Sequence, residues 1–271
     1  MTLREAFESK MMLLDGGMGS VIQTYGIKGA NNDMLSIEKP DIILDIQRRY
    51  VDAGVDCLTT NTFSSQRVSQ HEYHQEHRIA EMNRAAVKIA KQAAEEGMKK
   101  YGRQVYILGD VGPTSKMLSM SEDVNDPASR SITFDELEDA YLEQIQVLVE
   151  EGVDAILIET IFDTLNAKAA ASAFTKVMEK VSRPVEVMFS TFNRFCSIHA
   201  HIMVACNKYL MWVRQITEPI YKVVCFILTT SKGEIARVNN YISIWQRRQL
   251  TMFTMRVRYM KYSHCQYLPC K

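Results

Sequence analysis

Several absences narrow the reading of this chain first. No apolar stretch approaches the roughly 20 residues that a membrane-spanning helix needs. The longest candidate, "VVCFILTT", falls far short, and "MTLREAFESKMMLLDGG" at the N-terminus holds no uninterrupted apolar segment of signal-peptide length. The expectation is therefore a cytoplasmic protein with no membrane contact, whose thiols stay reduced. No G-x-G-x-x-G and no G-x-x-x-x-G-K-[ST] follows any strand-like run, which argues against nucleotide-binding α/β folds.

Other scarcities are local. Gly233 is the only one of 12 glycines beyond residue 190, Cys57 is the only one of six cysteines before it, and no Asp occurs from 191 to the end. Residues 1–190 carry 20 Lys and Arg against 30 Asp and Glu, whereas residues 191–271 carry 12 against 2. The formal net charge of zero thus describes neither part. The expected organisation is an N-terminal unit over 1–191 and an unrelated basic tail over 192–271, either frame-shifted or foreign. A natural divergent tail is the alternative. Basic residues in the tail are scattered rather than clustered, so no nucleic acid partner is expected.

What is present in the first part is an alternation. "MMLLD" (11–15), "VDCLTTN" (55–61), "VYILGD" (105–110), "AILIE" (155–159) and "VEVMFS" (185–190) read as strands buried on both faces. Segments of helical periodicity lie between them at 41–54, 79–97, 133–152 and 163–180, with Gly97 and Gly152 as stop signals for the second and third. Strands alternating with helices imply parallel pairing through right-handed crossovers. Asp15, Asn61, Asp110 and Glu159 close the first four runs. They would line one rim, in a (β/α)₈ TIM barrel or along the edge of a doubly wound sheet.

Each rim loop has its own chemistry. In "LLDGGMGS", Asp15 faces an ammonium while the Gly16 and Gly17 amides approach a carboxylate; a tight turn is the competing reading. Asn61 in "LTTNTFSS" can donate and accept toward a polar ligand, and "LGDVGPTSK" reads as a rigid loop. In "LIETIFDTLNAKAA", Glu159 is a partly desolvated carboxylate able to pair with an ammonium or exchange a proton, and Asp163 is the cap of the next helix. His71, His74 and His77 in "HEYHQEH" lack the H-E-x-x-H spacing and read as a solvated helix start.

In order along the chain, "LLDGGMGS", "DIILDIQRRYVDAGVDCLTTNTFSS", "GDVGPTSK", "ITFDELEDAYLEQIQVLVEEGVDAILIETIFDTLNAKAA" and "VEVMFS" closely resemble the homocysteine-binding domain of cobalamin-dependent methionine synthase. The resemblance covers residues 8–191. It implies a (β/α)₈ barrel, here incomplete with five βα units recognisable, that binds homocysteine and transfers a methyl group to its sulfur. It also implies that Asp15, Gly16, Gly17 and Glu159 hold the amino acid. Cobalamin and methyltetrahydrofolate would enter only through further domains or partner proteins.

The family activates the thiol with zinc on three cysteines, an adjacent pair among them, because coordination yields the thiolate. This sequence has no adjacent cysteines, so no metal ligand is assigned. Cys57 reads as a buried structural thiol, and Cys196, His199, His201, Cys265 and Cys270 only loosely approach zinc spacings. Two other classes stay open: a metal-independent barrel lyase or aldolase using Glu159 and Asp110 as acid and base, and a non-enzymatic binding module.

Overall fold

The computed structural model describes residues 1–190 except 28–30, 122, 124 and 127, together with the backbone of 191–192, 201–205 and 210–214. Its elements are α1 (Leu3–Ser9), α2 (Met18–Thr24), α3 (Leu35–Glu38), α4 (Pro40–Asp52), β1 (Cys57–Thr59), α5 (Arg67–Gln70), α6 (Ile79–Tyr101), β2 (Tyr106–Val111), α7 (Phe134–Glu150), β3 (Ala155–Ile161), α8 (Thr164–Met178), β4 (Glu186–Phe192), β5 (His201–Ala205) and β6 (Leu210–Arg214). The order β1-β2-β3-β4-β5-β6 makes one sheet. β1 to β4 are parallel, in the register Leu58 to Ile107, Gly109 to Ile156 and Ile156 to Val187. This is the parallel succession that alternation implied, with neighbouring strands in chain order as in part of a (β/α)₈ barrel.

Two expectations about the sheet change. The run 11–15 contributes a single parallel bridge, Leu14 to Cys57, rather than a full strand. The parallel succession also stops at β4, which pairs antiparallel with β5 through Thr191 and Met203, and β5 pairs antiparallel with β6. The far edge of β4 is therefore partly covered by β5. The rest of the expected tail, including its frame-shifted or foreign character, lies outside the described residues.

Local chemistry explains the helices. Thr133 and Glu136 form a capping box that starts α7, each side chain satisfying an orphan backbone N–H of the other. Gly152 is the left-handed stop expected from sequence, with φ +82°. Gly97 is not a stop. α6 runs through it to Tyr101 and ends at Gly102, with φ +65°. At residue 97 a Cβ would stand 2.4 Å from Val51 Cγ1, so the missing side chain serves the close crossing of α4 and α6.

The N-terminal ends of the strands form a floor built from repeated parts. Asp56 Oδ2 accepts the Leu13 amide at 2.9 Å, and Asp154 Oδ2 accepts the Ile107 amide at 2.7 Å. Arg103 donates to the carbonyls of Val51 and Val55, and Arg183 donates in the same way to Val149 and Val153. α1 is tied to this floor by Arg4, which grips Glu186 through two bonds of 2.9 and 2.8 Å. Above the floor, β2 is buried along its whole length, and the first four residues of β3 are buried too.

Candidate active site

The polar ends of the parallel strands converge opposite that floor. Asp15 is buried, and its carboxylate is pinned by Thr59, whose amide donates to Oδ2 at 2.8 Å and whose hydroxyl lies 3.0 and 3.1 Å from the two oxygens. Burial pushes the Asp15 carboxyl up to about 7; the Thr59 bonds oppose this, and the nearby Glu159 charge adds to it. Gly16 lies against Tyr50, whose hydroxyl would be 2.8 Å from an added Cβ. Gly17 is the residue before α2, in extended conformation.

Asn61 Nδ2 donates to the Asn32 carbonyl at 2.8 Å and to Ser36 Oγ at 3.1 Å, so its amide fastens the 32–36 segment to the end of β1. Asp110 is held through its backbone: its amide donates to Thr60 Oγ1 at 3.0 Å, and its carbonyl accepts from Thr62 Oγ1 at 2.7 Å and Gln144 Nε2 at 3.3 Å. Burial drives the Asp110 carboxyl well above the carboxylate range, and Glu159, Asp15 and Asp33 raise it further by like charge. Asp33, also buried, is pushed up to about 6 by desolvation, against a hydrogen bond from the Ser64 amide.

Glu159 is half-buried near the end of β3, and the next residue, Thr160, has φ +55° at a break in register between Ile158 and Ile161. A β-branched residue in the left-handed region costs on the order of 1–3 kcal/mol, and such strain concentrates at ligand sites. The bulge re-aims the strand end that carries Glu159. Asp163 caps α8 as expected. Its Oδ1 accepts the Leu165 and Asn166 amides at 2.8 and 3.4 Å, and its Oδ2 accepts the Leu118 and Ser119 amides at 2.9 and 3.0 Å.

A cleft of about 220 Å³ opens at this rim between the start of α2, the 31–33 segment and the ends of β1 and β2. Asn61 lines it, as do Asp33, Thr60, Thr62 and Asp110. Glu159 borders a much smaller neighbouring crevice with Gly112, Tyr141 and Phe162. Asp15 lies within electrostatic reach of both Glu159 and Asp110. Sequence reading missed Thr59, which pins Asp15, and Asp33, which "NND" gives no sign of. "LTTN" held the signal for Thr59 and Thr60, two hydroxyls next to Asn61 at a strand end.

The described residues do not supply a thiolate-bound zinc site. Among the described residues no three His, Cys, Asp or Glu side chains are grouped to hold a metal ion. Cys57 is buried in β1, and burial together with the Asp15, Asp56 and Asp154 charges pushes its thiol well above the ordinary range. His71, His74 and His77 are exposed in and beside short 3-10 turns and do not form a metal cluster. The side chains of Cys196, His199, His201, Cys265 and Cys270 lie outside the described residues. No helix among the described residues is long and apolar enough to cross a membrane.

Parallel strands with a polar, carboxylate-rich rim at their C-terminal ends are the arrangement on which α/β barrels build their sites. The chain belongs to the homocysteine S-methyltransferase family, whose match spans residues 12–205 and so reaches past Thr191 through β5. Its fold is similar to that of the homocysteine methyltransferase MmuM from Escherichia coli. The metallated and oxidized forms of that protein each match at 19% identity with TM-score 0.59, covering 73% of this chain and 68% of that one. The apo form matches at 18% identity with TM-score 0.53, covering 71% and 64%.

Proposed function

We propose that this chain binds homocysteine at the rim and serves methyl transfer to its sulfur, forming methionine in the manner of methionine synthase. The observation that carries this reading is the buried Asp15 carboxyl, pinned by Thr59 beside the Gly16–Gly17 loop, with Glu159 at the end of β3 near enough to raise it by like charge. This arrangement offers carboxylates to an ammonium and backbone amides to a carboxylate, as a zwitterionic amino acid requires. Asn61 stands at the same rim as the hydrogen-bonding group from β1. The described residues bind and orient the substrate and shield it from water. They do not supply the thiolate-activating zinc of the family, so no step is assigned to a metal and turnover by this chain alone is not expected. Under this reading cobalamin and methyltetrahydrofolate would enter only through further domains or partner proteins.

The test is calorimetric titration of the purified chain with homocysteine, alongside metal analysis of the same sample. Homocysteine binding with no stoichiometric zinc supports a substrate-binding role without turnover. Binding that depends on one zinc per chain would mean that the tail completes a metal site. Absence of any binding would sink the reading.

A further inference from the structure

Much of the rim is a single segment, residues 59–65. It supplies the Thr59 amide that pins Asp15, the consecutive residues from Thr60 to Ser64 that line the cleft, and the Ser64 amide that holds Asp33. Side-chain amides from four different helices take its carbonyls. Gln47 of α4 donates to Thr59 at 3.1 Å and Gln144 of α7 donates to Thr62 at 2.7 Å. Gln70 of α5 donates to Ser64 at 3.0 Å, and Asn83 of α6 donates to Ser65 at 2.9 Å. All four donors are fully buried.

Three of these amides give up their own acceptor in doing so. Gln47 Oε1, Asn83 Oδ1 and Gln144 Oε1 are buried with no hydrogen-bond partner. Turning any of the amides over would set its oxygen against a carbonyl oxygen, so the loop dictates their orientation. A buried orphan acceptor costs free energy and calls for an explanation. Three of them around one segment mark a place where backbone position outweighs polar satisfaction. Gln144 also reaches across strands. Its nitrogen donates to the Asp110 carbonyl at 3.3 Å, so one amide from α7 clasps the segment after β1 to the end of β2. Gln144 itself lines neither the cleft nor the crevice beside Glu159.

We infer that Gln144 is a positioning residue for ligand binding: by holding the Thr62 and Asp110 carbonyls on one donor, it keeps the cleft in its binding shape before a ligand arrives. The inference rests on the amino-acid reading proposed above and requires no contact between Gln144 and the ligand. Without the amide, the tie between the two carbonyls is gone, and the Thr62 hydroxyl is the side-chain link from this segment that the Asp110 carbonyl keeps. The ligand must then restore the shape itself, at the expense of affinity.

The experiment compares the full chain with Gln144→Met and Gln144→Glu by calorimetric titration with homocysteine, with folding followed by circular dichroism and urea denaturation. Gln144→Met keeps the side-chain length, removes the donor and should weaken binding by about tenfold in protein that remains folded. Arg4→Ala, which cuts the tie to Glu186 on the opposite floor, is the control for lost stability and should bind like the parent. A destabilised Gln144→Met with parental affinity would make the residue structural only and overturn the inference. In Gln144→Glu a protonated carboxyl can donate to the Thr62 carbonyl and an ionised one cannot. Its affinity should approach the parent's as pH falls and match that of Gln144→Met once ionised; weakness equal to Gln144→Met at every pH also overturns the inference. Should neither variant fold, hydrogen exchange in the ligand-free parent decides. Thr60, Thr62 and Ser65 amides as protected as those of β2 support a preformed segment, and exchange that slows only when homocysteine is added refutes it. A parent that binds no homocysteine sinks the amino-acid reading and this inference with it, whereas unchanged Gln144→Met affinity beside a binding parent sinks the inference alone.

Discussion

Replacing Asp163 should separate what its charge does from what its shape does. Its carboxylate joins two elements, accepting two amides at the start of α8 and two from the loop after β2. In Asp163→Ala the helix loses its cap, which costs about 1 kcal/mol. The buried Leu118 amide keeps only its 3.2 Å bond to Asn166 Oδ1, and losing a charged acceptor there adds about 1–2 kcal/mol. Ser119 is exposed and water can replace its bond. The expected loss is about 2–3 kcal/mol. Asp163→Asn keeps a good capping group and should lose only about 1 kcal/mol.

Urea denaturation followed by circular dichroism measures both variants. Although burial raises the Asp163 carboxyl, the amides outweigh it and hold its folded value below the ordinary one. Its contribution is therefore present above about pH 4, the unfolded value, and is lost as pH falls through the folded one. The gap between the parent chain and Asp163→Asn should shrink on acidification. An alanine variant within about 0.5 kcal/mol of the parent, or an asparagine variant worse than alanine, would refute the account.

Gly97→Ala should destabilise by about 1–3 kcal/mol despite alanine's better helix propensity, because the new methyl meets the stiff Val51 side chain; adding Val51→Ala should recover part of the loss in the same denaturation assay. Asp15 supplies a pH test of opposite sign to Asp163. Its folded value of about 7 exceeds an unfolded value of about 3.9, so its contribution is full at low pH and falls as pH rises from about 4 through about 7. Asp15→Asn should flatten that slope in ligand-free denaturation measured across the window. Thr59→Val removes the hydroxyl that reaches Asp15 and should weaken homocysteine binding several-fold in calorimetry while Asp15→Asn abolishes it.

Much of the scaffold was legible because periodicity is a local property. The helices at 40–52, 79–101, 134–150 and 164–178 lie close to the expected segments, and the Asp163 cap followed from a carboxylate placed just before an apolar period. Gly97 was misread because the sequence after "EEG" gives no sign that another helix crosses there. The run 11–15 was read as a strand from its apolar residues, but how many backbone bonds it makes is decided by its neighbour. At the site, strand ends could be located from single residues. The pinning of Asp15 by Thr59 and the arrival of Asp33 join segments tens of residues apart, and no spacing rule encodes them.

The repeated floor has a consequence for how the rim can change. Asn61 and Glu159 each stand five residues beyond an aspartate, Asp56 and Asp154, that fastens the start of its strand to the neighbouring run. With Arg103 and Arg183 holding equivalent carbonyls below, the two strands present matching sockets, one filled with an amide and the other with a carboxylate. Charge can therefore be moved around the mouth of the sheet by exchanging side chains between equivalent sockets. The bulge at Thr160, absent after Asn61, is what makes the two unequal.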